Sequence, residues 1–188
     1  MPRNYFYFFG FTFAVLLLLT SCKEEIIPKP PGHLRLEYPL ANYTQFQSDC
    51  PFGFALNTKA IIKEKGECNY TITYPKMKAT IFLTYKPVQG NLEALLRDTQ
   101  KLTYKHVIKA DNILEQPYIN AKQGVYGMFY RLGGNAATNA NFYVTDSTHH
   151  FLSGSMYFYA KPNFDSIMPA ADYIKNDMQN LIETLQWK

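Results

Sequence analysis

Asn69-Tyr70-Thr71-Ile72-Thr73-Tyr74-Pro75-Lys76-Met77-Lys78-Ala79-Thr80-Ile81-Phe82-Leu83-Thr84-Tyr85 reads as two strands around a break. Tyr70, Ile72 and Tyr74 fall on one side of the first, and Asn69, Thr71 and Thr73 on the other. After Tyr74-Pro75, Ile81, Leu83 and Tyr85 alternate with Thr80, Phe82 and Thr84. A period of two with one apolar side predicts half-buried strands of an antiparallel sheet.

The same alternation recurs downstream, at Val125–Arg131, Asn141–Thr145 and Phe151–Tyr159. In the last of these, Leu152, Gly154, Met156 and Phe158 oppose Phe151, Ser153, Ser155 and Tyr157. Gly133-Gly134-Asn135 and Lys161-Pro162-Asn163 are the turn signals between elements. Two segments carry a helical period instead. Leu92, Leu95, Leu96, Leu102 and Val107 form the first stripe, with Asn91 as its N-cap. Ile167, Ala171, Ile174, Met178, Leu181, Ile182 and Leu185 form the second. Asp165 or Ser166 would cap it, with Pro169 in the first turn, where a missing N–H costs little. The element order predicts an α+β fold: a mostly antiparallel sheet covered on one face by two main helices, one central and one C-terminal. That order is similar to the PsbP/Mog1-type sandwich.

Composition sets wide limits. At 188 residues, 47% hydrophobic and 18% charged, the chain is too short for a barrel of eight α/β units and too apolar for disorder. A formal charge of +4, dispersed along the chain, does not point to nucleic acid.

The first residues read as an address. Arg3 is followed by an apolar run from Tyr5 to Leu19, broken only by Gly10 and Thr12. Its 15 residues are shorter than the ~20 of a membrane-spanning helix and suit a secretory signal. Leu19-Thr20-Ser21-Cys22 resembles the bacterial lipobox. That resemblance implies cleavage of a signal peptide, residues 1–21, and lipidation of Cys22, with acyl chains that hold the protein at a membrane. Cys22-Lys23-Glu24-Glu25 is similar to a Bacteroidetes signal for surface export; a solvated charge cluster is the plainer reading. Residues 22–33 then form a tether in which Pro28, Pro30 and Pro31 favour extended geometry, about 30 Å long at ~3.1 Å per residue. A single domain, residues 34–188, follows. Outside the reducing cytoplasm Cys50 and Cys68 can pair across a short loop, worth roughly 3 kcal/mol; two buried free thiols are the alternative.

Few residues suggest catalysis. His106 lies on the apolar side of the first helical segment and reads as a structural histidine, and His33 ends the tether. His149 and His150 are adjacent, so on a strand they point to opposite faces and cannot readily share a metal. No spacing in the sequence resembles a metal or cofactor site. Asp146-Ser147-Thr148-His149-His150 contains every residue type of a hydrolase triad, but a contiguous run suits a capped turn better than a nucleophile elbow. Asp146-Ser147-Thr148 and Asp165-Ser166-Ile167 also resemble Bacteroidetes O-glycosylation acceptors, which would modify Ser147 and Ser166.

Over nearly the whole mature chain the sequence resembles the GldD family of gliding motility lipoproteins of the Bacteroidetes. The likeness runs through Pro28-Lys29-Pro30, Leu34-Arg35-Leu36-Glu37-Tyr38-Pro39 and Cys50-Pro51-Phe52. It continues through Tyr74–Ile81, Leu83–Lys86, His106, Lys109-Ala110-Asp111 and Gly134-Asn135-Ala136-Ala137. Thr145-Asp146-Ser147 with His150-Phe151-Leu152, Tyr157-Phe158 and Pro162-Asn163 with Asp165-Ser166 are its most specific parts. The resemblance implies a non-catalytic envelope lipoprotein, favoured at the outer membrane, that works with other proteins of the gliding and type IX secretion machinery. It carries over no catalytic residues, and Cys22 with the Cys50/Cys68 pair fits it. Two alternatives stand beside it: an envelope hydrolase or glycan-processing enzyme using Asp146, Ser147 and a histidine, and a carrier of a small ligand in an apolar cleft between helices and sheet.

Overall fold

The structure is a computed structural model, and it describes residues 38–105, 112–134, 138–159 and 164–188. Cys22, the tether, His33, His106, Lys109–Asp111, Asn135–Ala137 and Lys161–Asn163 lie outside the described residues. All of those described belong to one compact unit, His33–Lys188.

Among the described residues are ten strands, two α-helices and a short 3-10 turn at Pro75–Met77. A seven-stranded sheet is built from two antiparallel meanders. The first comprises β3 (Ile61–Gly66), β4 (Asn69–Tyr74) and β5 (Ala79–Pro87). The second comprises β6 (Ile113–Asn120), β7 (Val125–Leu132), β8 (Thr138–Thr145) and β9 (His150–Phe158). Pairing of β5 with β9 joins them in the order β3-β4-β5-β9-β8-β7-β6. A small sheet, β1 (Tyr43–Phe46), β2 (Phe52–Asn57) and β10 (Gln186–Trp187), has β2 at its centre. Helix α1 (Leu92–Lys105) links the meanders, and α2 (Phe164–Glu183) precedes β10.

The expected alternation is what packs the core. Tyr70, Ile72 and Tyr74 of β4, Ile81 and Leu83 of β5, and Leu152 and Met156 of β9 all point inward. They meet Phe52 and Phe54 of β2 and Ile174, Met178 and Leu181 of α2. At the centre of the sheet Phe142 pairs with Gly154, and its ring occupies the space a side chain would need. A Cβ on Gly154 would stand 2.2 Å from Phe142 Cε1. Cys50, just before β2, and Cys68, in the β3–β4 turn, are joined by a disulfide that staples the small sheet to the large one, with a Cα–Cα distance of 5.6 Å. The turn carries Glu67 and Cys68 at φ 51° and 60°, the left-handed pair that matches the twist of a tight hairpin.

Several expectations are corrected. The helices do not share one face. Ala140, Phe142 and Val144 of β8 lie in the core with α2, while Asn141 and Tyr143 project the other way. There Asn141 Nδ2 donates to Thr103 Oγ1 of α1 at 3.4 Å, so α1 covers the opposite face. On α1 itself the buried residue is Thr103 and Leu102 is 47% exposed. At about 100° per residue Thr103 falls in line with Leu92, Leu96 and Thr99, whereas Leu102 falls at the edge. Asn91 does precede the helix and its carbonyl accepts the first helical bond from Leu95 N–H at 3.1 Å. Its side chain, however, reaches back to accept from Gln89 N–H rather than forward into the helix. Helix α2 begins at Phe164, which places Asp165 and Ser166 within its first turn and Pro169 about a turn further in.

Gly154→Ala is expected to lower the unfolding free energy by about 1–3 kcal/mol through overpacking against Phe142. Ser153→Ala, on the other face of β9, should change it by less than about 0.5 kcal/mol. Urea titration followed by circular dichroism checks both.

Candidate functional site

The apolar stripe of α2 contains one acid. Asp177 follows Ile174 by three residues and precedes Leu181 by four, which turns its side chain into the protein, where it is 5% exposed. A carboxyl group there is costly unless hydrogen bonds replace its water. Three strands supply them. Tyr43 Oη of β1 donates to Oδ1 at 2.6 Å. Asn57 Nδ2, at the end of β2, and Tyr74 Oη, at the end of β4, donate to Oδ2 at 2.7 and 2.9 Å. Asn57 Nδ2 also donates to Tyr173 Oη at 2.9 Å, and Asn57 Oδ1 accepts from Lys59 N–H at 2.9 Å. Burial, followed by the hydrogen bond and negative charge of Asp177, holds the Tyr43 and Tyr74 hydroxyls well above the usual phenol range. The salt bridges among the described residues involve Asp146 and Asp172, so neutral donors, not a cation, satisfy Asp177.

Tyr74 and Tyr173 also wall a pocket of about 440 Å³. Tyr38, whose ring centroid is 5.5 Å from that of Tyr173, and Pro39 close it on one side. Ile61, Pro75 and Met77 extend the apolar wall, and Lys59 and Lys76 are its charged residues. Among the described residues no acidic one lines it. Buried cluster and pocket together are the best-formed candidate site among the described residues.

The Asp146–His150 segment is a turn between β8 and β9. Asp146 Oδ1 accepts from the N–H groups of Thr148, His149 and His150 at 3.0, 2.8 and 2.7 Å, and Oδ2 from Thr148 Oγ1 at 3.0 Å. Partial burial pushes the carboxyl up, and these hydrogen bonds outweigh it, holding the group well below the usual carboxylate range. Ser147 takes the left-handed conformation at φ 71°, is exposed, and donates its N–H to Thr145 Oγ1. The two histidines do not take opposite faces of a strand: His149 lies in the turn, His150 opens β9, and their ring centroids are 6.1 Å apart. His149 is 77% exposed, with Nδ1 3.6 Å from Asp146 Oδ2. His150 stacks on Trp187 at 5.1 Å, and its Nδ1 lies 2.9 Å from Tyr85 Oη. Ser147 and His150 are therefore not brought together as nucleophile and base. Among the described residues no three His, Cys, Asp or Glu side chains converge as metal ligands, and no helix is long and apolar enough to cross a membrane.

Sequence reasoning missed the Asp177 cluster. An acid three residues after one stripe member and four before another was its one local signal; Tyr43, Asn57 and Tyr74 lie 134, 120 and 103 residues away.

Comparison with protein families gives a match to the family described as gliding motility lipoprotein GldD, over residues 23–187. No curated protein matches the chain.

Asp177→Ala is expected to cost about 2–4 kcal/mol in urea unfolding, because it orphans two buried donors, Asn57 and Tyr74, and the half-buried Tyr43 hydroxyl. For Asp146 the folded-state pKa is depressed, so its contribution is complete above the unfolded value near 3.9 and is lost as pH falls below it. The stability difference between wild type and Asp146→Asn should therefore shrink between pH 5 and pH 2, measured by urea titration across that range.

Proposed function

The chain belongs to the gliding motility lipoprotein GldD family, and from that membership we propose that it acts in gliding as a non-catalytic interaction or assembly component of the machinery shared with type IX secretion. Membership makes it a lipoprotein of the cell envelope, anchored at a membrane and involved in gliding motility. The proposal adds the working parts. Residues 1–21 are removed as a signal peptide, Cys22 carries the acyl chains, and residues 22–33 set the reach of the 34–188 domain. We assign the anchor to the outer membrane, with the domain on its periplasmic or surface side, packed in the manner of a PsbP/Mog1-type sandwich.

One observation supports the non-catalytic reading over the hydrolase: the groups offered to a triad are spent on structure. The Asp146 carboxyl holds three backbone N–H groups of its own turn, and the His150 ring is held by Trp187 and Tyr85. Ser147, exposed at the tip of that turn, is then available as an O-glycan acceptor; Ser166, in the first turn of α2, is the second acceptor we propose.

In-cell crosslinking and affinity purification of the tagged protein, with partners identified by mass spectrometry, tests this reading. Wild type and Ser147→Ala should both recover gliding and type IX secretion components, and Cys22→Ala should not. If wild type came down alone and Ser147→Ala trapped a substrate, the hydrolase would replace the docking module.

A further inference from the structure

The pocket beside the Asp177 cluster selects for one kind of occupant. Its volume of about 440 Å³ lies within the roughly 300–1,000 Å³ of small-molecule sites. The hydroxyls of Tyr74 and Tyr173 are engaged by Asp177 and Asn57, which leaves ring surface to the pocket. Together with Ile61 and Met77 this makes an apolar wall that offers few partners to a peptide backbone, whose amides would be left unpaired against it. A hydrocarbon chain has no such group to lose. The polar side chains left to meet a ligand are Tyr38, Lys59 and Lys76, and neither lysine has an ion-pair partner among the described residues. Lys59 is held at the site through its backbone N–H, which donates to Asn57 Oδ1. Behind the tyrosine wall the Asp177 carboxyl repels a negative group in the depth of the pocket, so an anion is favoured at the lysines instead.

We propose that this pocket binds a single-chain amphiphilic anion, its aliphatic tail against Tyr74, Tyr173 and Met77 and its carboxylate or phosphate at Lys59 and Lys76. A free fatty acid and a membrane lysophospholipid share that chemistry. The proposal does not depend on the docking role above.

The test uses the full chain, labelled with [13C]methyl-methionine and held in phosphatidylcholine nanodiscs. With six methionines in the sequence, the Met77 signal is assignable from Met77→Leu. Decanoate should shift it saturably, and decyltrimethylammonium, with the same tail and opposite charge, should not. In Lys59→Glu/Lys76→Glu, folded by circular dichroism, the decanoate midpoint should rise about tenfold or more. Tighter binding of 1-decanoyl lysophosphatidate than of decanoate would support the site with a membrane lipid as source, and the reverse order would support it with a free acid. Equal shifts with both charges, an unchanged midpoint in the double variant, or no saturable shift at Met77 would each overturn the proposal.

Discussion

Asp177 is buried within the apolar stripe of α2, and its carboxyl is satisfied only when three separate strands arrive. Tyr43 belongs to the small sheet's edge, Asn57 to its central strand, and Tyr74 to the large sheet. Hydrophobic contact between α2 and these layers is non-directional and would tolerate the helix sliding or rotating. The hydrogen bonds would not, because a displaced carboxyl would be left unpaired in an apolar interior. The cluster therefore fixes register where oily packing alone specifies only adjacency. It also fixes the pocket, since Tyr74 and Tyr173 serve both.

Where the sequence was informative, the reason is asymmetry of environment. β4, β5 and β9 each have one face in the core and one less covered, so their polarity alternates and the strands can be read directly. β8 is covered on both faces, by α1 on one and the main core on the other. Thr138, Asn139, Asn141 and Thr145 are all buried there, so their polarity says nothing about exposure. The placement of the helices on opposite faces has a similar origin. A stripe of leucines shows which side of α1 is buried, but not which face of the sheet it meets. The pairs that decide that, such as Asn141 with Thr103, join polar residues with no periodic signature. Asp177 was legible as an anomaly and its partners were not, because Tyr43, Asn57 and Tyr74 are ordinary residues in strands far away in the chain.

The Asp146–His150 segment shows how the same residue types serve chemistry or architecture according to local geometry. Three backbone N–H groups converge on one carboxyl oxygen, as at the start of a helix, and the chain reverses between β8 and β9. Catalysis would need that carboxyl to orient a histidine towards a hydroxyl. Here His149 faces solvent, and His150 is committed to an aromatic contact with a strand of the other sheet. The side chains of this segment are thus engaged in the turn itself and in the contact between the two sheets.

The pairing of β2 with β10 places Phe52 beside Trp187, and the bonds to Asp177 span similar distances along the chain. An envelope lipoprotein is threaded outward from its N-terminus. Its leading strands therefore emerge long before residues 164–187 can join them. Until then β2 lacks one of its neighbours and the core lacks its helix, so the emerging chain holds local hairpins and little else. The delay comes from sequence separation, because contacts between residues more than 100 apart form only once both have emerged. It also leaves Phe52 and Phe54 uncovered in the meantime, which makes the interval between emergence and closure the period of greatest exposure to chaperones and proteases.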